Sequence, residues 1–304
     1  MYAAHFGLRE APFTITPDTS FFFGHSAYQE AMNTLLVAVR SGEGFIKVIG
    51  EVGTGKTLLC RKFLSALATD RNFVTAYIPN PYLEPITLLL AIADELRIEY
   101  QANLTQHQLL KLLTKYLLDS YAEGKRVILC LDEAQAMPTE TLESLRLLSN
   151  LETEKRKLLQ VILFGQPELD QRLDQPSIRQ LRQRISFTCR LSPLNLDETE
   201  YYVAHRLHIA GYHGPRLFSP RAVKRLFRAS GGIPRLTNIL SHKAMMAAFG
   251  EGTRNVEEHH IKLAIADTES TNFAIKNNHL IKYTVAVAAT LLFSAGALLW
   301  AHTL

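Results

Sequence analysis

Apolar residues are spaced along this chain in two ways before residue 270 and in a third way after it. Up to residue 193, short unbroken apolar runs alternate with stretches whose apolar positions recur at helical spacing. Strands are read at 45–49, 72–78, 127–131, 158–164 and 185–190, and the run at 127–131 lacks the in-and-out alternation of a half-exposed strand. An unbroken run is what a strand covered on both faces of a parallel sheet carries. The helical stretches between them, at 27–40, 58–68, 84–96, 105–122, 138–151 and a basic one closing at 181–184, supply the crossovers that parallel strands require. The pattern predicts five parallel strands with crossover helices, an α/β domain over residues 1–192. Ser26 and Gln29 read as a capping box opening the first long helix, and Gly124 closes the 105–122 helix. Residues 6–23, aromatic and punctuated by Pro12 and Pro17, read as an irregular strap.

From residue 193 the texture is helical alone. Amphipathic stretches at 197–210, 220–229, 234–249 and 256–267, joined by short Gly/Pro turns, predict a compact helical lid over 193–268. Residues 269–282 read as a polar linker. Residues 283–301 hold no charge and are apolar around the whole circumference. Nineteen residues of helix rise about 28 Å, close to the hydrocarbon thickness of a bilayer, so the stretch reads as one transmembrane helix, a buried terminal helix being the alternative. Tyr283 and Trp300 stand near the two interfaces. Lys276 and Lys282 precede the span, which places the bulk of the chain on the cytoplasmic side. Ala286, Thr290 and Ser294 repeat every four residues and would let a partner helix approach closely.

Composition narrows the class without naming a function. Across 304 residues, 47% are hydrophobic and 20% charged, as in a globular chain with one large or two medium cores. Thirty-three Lys and Arg against 29 Asp and Glu give +4, too slight a bias to make nucleic acid an expected partner. Basic residues do gather at 179–190 and 216–235, where solvated faces or ion pairs account for them, a nucleic-acid patch being the lesser alternative. Cys60, Cys130 and Cys189 are odd in number and not at metal-ligand spacing, so they read as buried small side chains in a reducing compartment. The first residues lack the basic-then-apolar order of a cleaved leader. His205 with His208, and the pair His259-His260, invite a metal reading; with no Cys or carboxylate constellation beside them they read as solvated helix faces.

The chemistry concentrates where the first apolar run breaks into glycines, Gly50-Glu51-Val52-Gly53-Thr54-Gly55-Lys56-Thr57. Gly50, Gly55, Lys56 and Thr57 fit G-x-x-x-x-G-K-[ST], a loop that holds phosphates between a strand and a helix start. Residues without Cβ let the backbone curl until successive N–H groups aim at phosphate oxygens. Lys56 then reaches the β- and γ-phosphates, Thr57 ligates Mg²⁺, and the following helix presents its positive end. About 75 residues on, the 127–131 run ends in Asp132-Glu133, at the strand end where α/β sheets bind ligands. Asp132 would complete the Mg²⁺ shell with Thr57, and Glu133 would polarise the water attacking the γ-phosphate. The 158–164 run stops at Gly165-Gln166-Pro167, which sets Gln166 level with Asp132 and Glu133. It either senses the γ-phosphate, orients water, or bonds its own turn. Arg235, in Gly231-Gly232-Ile233-Pro234-Arg235, falls in a helix's first turn, where a cation is disfavoured unless an anion lies nearby.

These stretches together resemble the ExeA/GspA-type AAA+ ATPases. The resemblance is carried by the phosphate loop, by Leu131-Asp132-Glu133-Ala134-Gln135, by Leu163-Phe164-Gly165-Gln166-Pro167-Glu168-Leu169, by Leu181-Arg182-Gln183-Arg184-Ile185 and by the Gly231 to Arg235 stretch. The opening His5-Phe6-Gly7-Leu8 through Asp18 is similar too, so the likeness covers about residues 1–270. It implies a P-loop NTPase of AAA+ type, binding ATP and Mg²⁺ and hydrolysing ATP to ADP and phosphate. It also implies a place on the cytoplasmic face of a Gram-negative inner membrane, where such proteins help assemble a type II secretion or a type IV (MSHA-like) pilus machine. Gln166 lies at the family's sensor-1 position, Arg235 matches its sensor-2 arginine, and Arg184, with Arg182 second, matches the finger offered to a neighbour's nucleotide. A homo-oligomer, in this family commonly a ring, follows from a finger acting in trans. Secretion-type members carry a peptidoglycan-binding region beyond the span, and this sequence runs only to Leu304. Any grip on the cell wall is therefore expected from a partner with a periplasmic domain. Two other readings share the core motifs: a DNA-acting AAA+ helper of the transposition type, and a scaffold that binds ATP without turnover.

Overall fold

The computed structural model describes residues 2–16, 18–148, 151–152 and 157–268. They form two compact units, residues 16–193 and residues 2–15 together with 194–268. The linker at 269–282 and the apolar stretch at 283–301 lie outside the described residues. Among those described, no helix is long and apolar enough to cross a membrane.

In chain order the elements begin with α1 (Tyr2–His5), which belongs to the second unit. The first unit comprises α2 (Ser26–Ser41), β1 (Phe45–Gly50), α3 (Lys56–Ala68), β2 (Phe73–Ile78), α4 (Pro85–Glu95), α5 (Gln106–Ala122), β3 (Arg126–Leu131), α6 (Thr139–Leu148), β4 (Leu159–Gly165), α7 (Glu168–Leu173), α8 (Arg179–Arg182) and β5 (Ile185–Leu191). The five strands are parallel, in the order β2-β3-β4-β1-β5.

The apolar runs of the central strands are explained by cover on both faces. Alternate residues of β3, Val127, Leu129 and Leu131, join one core with Leu88, Leu89, Leu113 and Leu142 of α4, α5 and α6. Ile128 and Cys130 turn to the other core, with Leu35 of α2 and Leu59 and Phe63 of α3. β4 divides in the same way, Val161 and Leu163 against Ile162 and Phe164. All three cysteines are buried and unbridged. Burial pushes the Cys189 thiol up to about 11, and a hydrogen bond with Cys130 and burial push that of Cys60 up further, so neither supplies a reactive thiolate.

The second unit is built from α9 (Leu196–Ile209), α10 (Pro220–Ser230), α11 (Pro234–Gly250) and α12 (Glu258–Ala266). Asn195 and Glu198 form a reciprocal cap on α9, and Ser219 caps α10 before Pro220 in the first turn. Gly232, at φ +74°, is irreplaceable on steric grounds: a Cβ there would stand 1.9 Å from the Leu194 carbonyl oxygen.

Three expectations change. Residues 2–15 were read with the α/β domain but pack with the helices: Arg206 donates to the Pro12 carbonyl, Asn238 Nδ2 to the Thr14 carbonyl at 3.1 Å, and the Arg9 amide to the Ala210 carbonyl at 2.8 Å. The strap itself is less irregular than expected, with a 3₁₀ turn, Thr19–Phe21, capped by Asp18. The Ser26/Gln29 capping box does not form, because α2 already includes Ser26; His25 is the boundary residue, and the Gln29 amide donates instead to the Gly24 carbonyl at 2.9 Å.

Candidate active site

Strand order fixes which sequence segments meet. β4 lies between β1 and β3, and the registers pair Ile49 with Gly165 and Leu131 with Leu163. The loop after β1, the acidic pair after β3 and Gln166 after β4 therefore emerge side by side at the carboxyl end of the sheet.

The loop has the backbone its glycines allow. Gly53 and Gly55 take φ of 83° and 101°, and Gly55 is the boundary residue from which α3 starts. At Gly50 the constraint is space, since a Cβ would meet Thr54 Oγ1 at 2.6 Å and the Leu191 carbonyl oxygen at 3.1 Å. Thr54 Oγ1 in turn donates to the Glu51 carbonyl at 2.8 Å and braces the loop. Glu51 and Val52 are exposed at its crest.

Lys56 is buried, and its ammonium group donates to the Gly50 and Glu51 carbonyls at 2.8 and 3.1 Å. Burial lowers its affinity for the proton, and the carboxylates of Glu133, Asp132, Glu51 and Glu168 work the other way. Next along α3, the Thr57 hydroxyl donates to Asp132 Oδ2 at 2.6 Å. Asp132 is 2% exposed. Burial raises its pKa, against the hydrogen bonds from Thr57 and the Glu133 amide. A hydroxyl and a carboxylate in contact at a helix start, beside a buried ammonium, are two hard oxygen ligands of the kind Mg²⁺ takes together with substrate phosphates, so the residues present fit both ATP and the metal.

Glu133 stands in the left-handed region, φ 54° and ψ 38°, a conformation uncommon for a non-glycine residue and frequent at functional sites. It turns the carboxylate towards β4, where Oε2 accepts from Gln166 Nε2 at 2.9 Å and from the Gln135 amide. The structure thus brings Gln166 to Glu133 rather than to its own turn. Gln135 and Tyr77, whose hydroxyl lies 3.4 Å from Asp132 Oδ2, were not singled out from sequence as members of the site. For Gln135 the signal was present, two residues past the acidic pair; for Tyr77 the pairing of β2 with β3 creates the proximity.

Two predicted residues lie elsewhere on this unit, and a third belongs to the other unit. Arg184 precedes β5 and neighbours Lys157, Gly44 and Phe45 at the amino end of the sheet, opposite the loop, so it does not join its own protomer's site. Arg182 is exposed and ion-paired with Asp174 at 2.5 Å. Arg235 lies in the second unit, exposed, in the first turn of α11. The histidine pair also needs correction. Glu251 Oε2 accepts from Nε2 of both His259 and His260 at 2.9 Å, so a carboxylate does accompany them. Nδ1 of the buried His260 accepts the Glu257 amide, which leaves the proton on Nε2 and makes the cluster a hydrogen-bonded staple rather than a metal site.

Comparison with known proteins gives the family and the fold. Residues 39–173, from the end of α2 through α7, match the AAA domain family. General secretion pathway protein A of Aeromonas hydrophila is 41% identical over 296 residues, which is 97% of this chain and 53% of that protein, so the chain spans about half the length of the relative it matches. Among solved structures, Cdc6p of Pyrobaculum aerophilum (TM-score 0.63, 19% identity, 79% of this chain and 68% of that one) and the ORC2 protein of Aeropyrum pernix (0.59, 18%, 84% and 72%) share the fold. So does the RuvB motor of Thermotoga maritima (0.52, 16%, 79% and 67%). With the phosphate loop, acidic pair and polar residue after β4 all on one sheet edge, the chain belongs to the ExeA/GspA-like family of AAA+ proteins.

Proposed function

We propose that this protein binds Mg²⁺-ATP at the carboxyl edge of its sheet and hydrolyses it to ADP and phosphate. In this reading the loop amides of residues 51–55 and the Lys56 ammonium hold the phosphates, and Thr57 and Asp132 hold the metal, which neutralises charge on the transferring phosphoryl group. Glu133 accepts a proton from the attacking water, and Gln166 orients that water or the γ-phosphate. The observation that carries the reading is the left-handed Glu133, whose carboxylate is fixed by amide donors beside the Thr57–Asp132 pair. A scaffold that only binds ATP has no use for a carboxylate held in that way.

The setting is proposed from the relative and the sequence. The likeness to general secretion pathway protein A supports a role in assembling an envelope machine, a type II secretion system or an MSHA-like type IV pilus. The uncharged stretch at 283–301 supports a single-pass anchor in the bacterial inner membrane with the bulk of the chain in the cytoplasm. Arg184, remote from its own site, fits a finger that completes a neighbour's site in a homo-oligomer, possible only if copies assemble. Arg235 is the candidate sensor-2 arginine. Likeness to Cdc6p, ORC2 and RuvB extends to the fold alone and does not favour DNA as a partner.

Phosphate release by the full chain tests the chemistry. Glu133→Gln is expected to retain ATP while turnover falls between about 100- and 10,000-fold. Unimpaired turnover in that variant would remove Glu133 from the mechanism.

A further inference from the structure

Beyond the residues already placed, one side chain ties the edge together. Gln135, in the 3₁₀ turn Ala134–Ala136 after Glu133, uses both ends of its amide. Its Nε2 donates to Glu133 Oε2, and its Oε1 accepts the backbone N–H of Gln166 at 3.1 Å. Its own carbonyl accepts from Arg172 Nη1 of α7. The assignment of amide oxygen and nitrogen follows, because a backbone N–H can only donate and a carboxylate only accept. Gln166 meanwhile spends its side-chain amide on the same carboxylate oxygen, at 2.9 Å.

The geometry points to Gln135 as a positioning residue for the reaction: it holds Glu133 in the left-handed conformation and fixes the Gln166 backbone, so that the carboxylate and the Gln166 amide act as one unit. The inference rests on Glu133 being the base of the hydrolysis proposed above. With Gln135 in place, Glu133 keeps its orientation when the Gln166 side chain turns towards a γ-phosphate. Without it, releasing Gln166 would also release the carboxylate, and the strained backbone at residue 133 would have one fewer contact to sustain it.

Gln135→Met keeps length and apolar bulk while removing both hydrogen bonds, and two readouts separate positioning from mere stability. In the full chain without nucleotide, hydrogen–deuterium exchange of the segment containing Gln166 is expected to quicken about fivefold or more, the loss of one part-buried hydrogen bond, while the thermal midpoint falls by no more than about 2–4 °C. With Mg²⁺-ATP, kcat is expected to fall about 10- to 100-fold while KM stays within about twofold, as for a group that orients the base and does not touch the ligand. Wild-type exchange and kcat in Gln135→Met would overturn the proposal, as would equal loss of kcat and ATP affinity. Glu133→Gln run alongside keeps the two ideas apart: normal turnover there defeats the hydrolysis reading itself, whereas an inactive Glu133→Gln beside a fully active Gln135→Met defeats only the role of Gln135.

Discussion

At Gly50 and Gly232 a single hydrogen atom decides whether the chain can pass. Gly50→Ala would drive a methyl group into Thr54 Oγ1 and the Leu191 carbonyl, so loosened ATP binding and a stability loss of about 1–3 kcal/mol are expected, read by calorimetry and thermal unfolding. Gly232→Ala meets the Leu194 carbonyl at 1.9 Å and requires φ +74° of an L residue; it should destabilise the helical unit by about 3 kcal/mol or more without altering the phosphate loop. A Gly232→Ala protein that melts like the parent would show the Leu194 approach to be soft. The loop residues were legible in the sequence because their geometry is local: only six and seven residues separate Gly50 from Lys56 and Thr57, which fixes them relative to one another almost regardless of the rest. Gln135 was legible only as a position two residues past the acidic pair, since its reach to Gln166 depends on a left-handed Glu133, a choice made by tertiary contacts.

Elements were read well where periodicity is strong and poorly at their ends. The five strand readings held: cover on both faces demands the apolar runs of β3 and β4, while the edge strand β5 leaves Ser186, Phe187, Thr188 and Arg190 exposed; the cap at Ser26 failed because any Ser with a Gln three residues later matches the pattern. Only the turn before α2 decides where helix begins. Helix α7 shows how an element can be tied to the sheet by charge. Asp170 pairs with Lys47 of β1 and with Arg190 of β5 at 3.0 Å, and α7 begins just after Gln166. Burial alone would raise its pKa, but the hydrogen bonds and charges of Lys47 and Arg190 prevail and hold it below the usual carboxylate value. A depressed folded pKa means that this contribution is complete above about pH 4, where the unfolded Asp ionises, and is lost as pH falls towards the folded value. Asp170→Asn should therefore cost about 1 kcal/mol at pH 7, solvent at Arg190 weakening the pair, and the gap from wild type should close near pH 3 in thermal melts. A gap that widens with acid would contradict the sign.

For the whole molecule, the assignment of residues 2–15 to the helical unit could not be read from spacing, since Pro12 and Arg206 are 194 residues apart. Phe6, Leu8 and Phe13 looked like any aromatic strap until their partners were placed. The apolar stretch at 283–301 predicts that the full chain sediments with membranes and needs detergent for release, while a chain ended at residue 268 does not. If Arg184 serves a neighbour's site, wild-type turnover per molecule should rise with protein concentration. Arg184→Ala should bind ATP normally yet lose about 10³–10⁵ of that gain, and unchanged turnover at high concentration would rule the finger out. Beneath every one of these expectations lies ATP held by the loop of residues 50–57 against Asp132. Calorimetric titration of the full chain with Mg²⁺-ATP, in wild type and Lys56→Ala, tests it most directly: saturable one-to-one binding in wild type, weakened about a hundredfold or more in Lys56→Ala, is the predicted result. Equal affinity in the two proteins, or no binding by wild type, would contradict it.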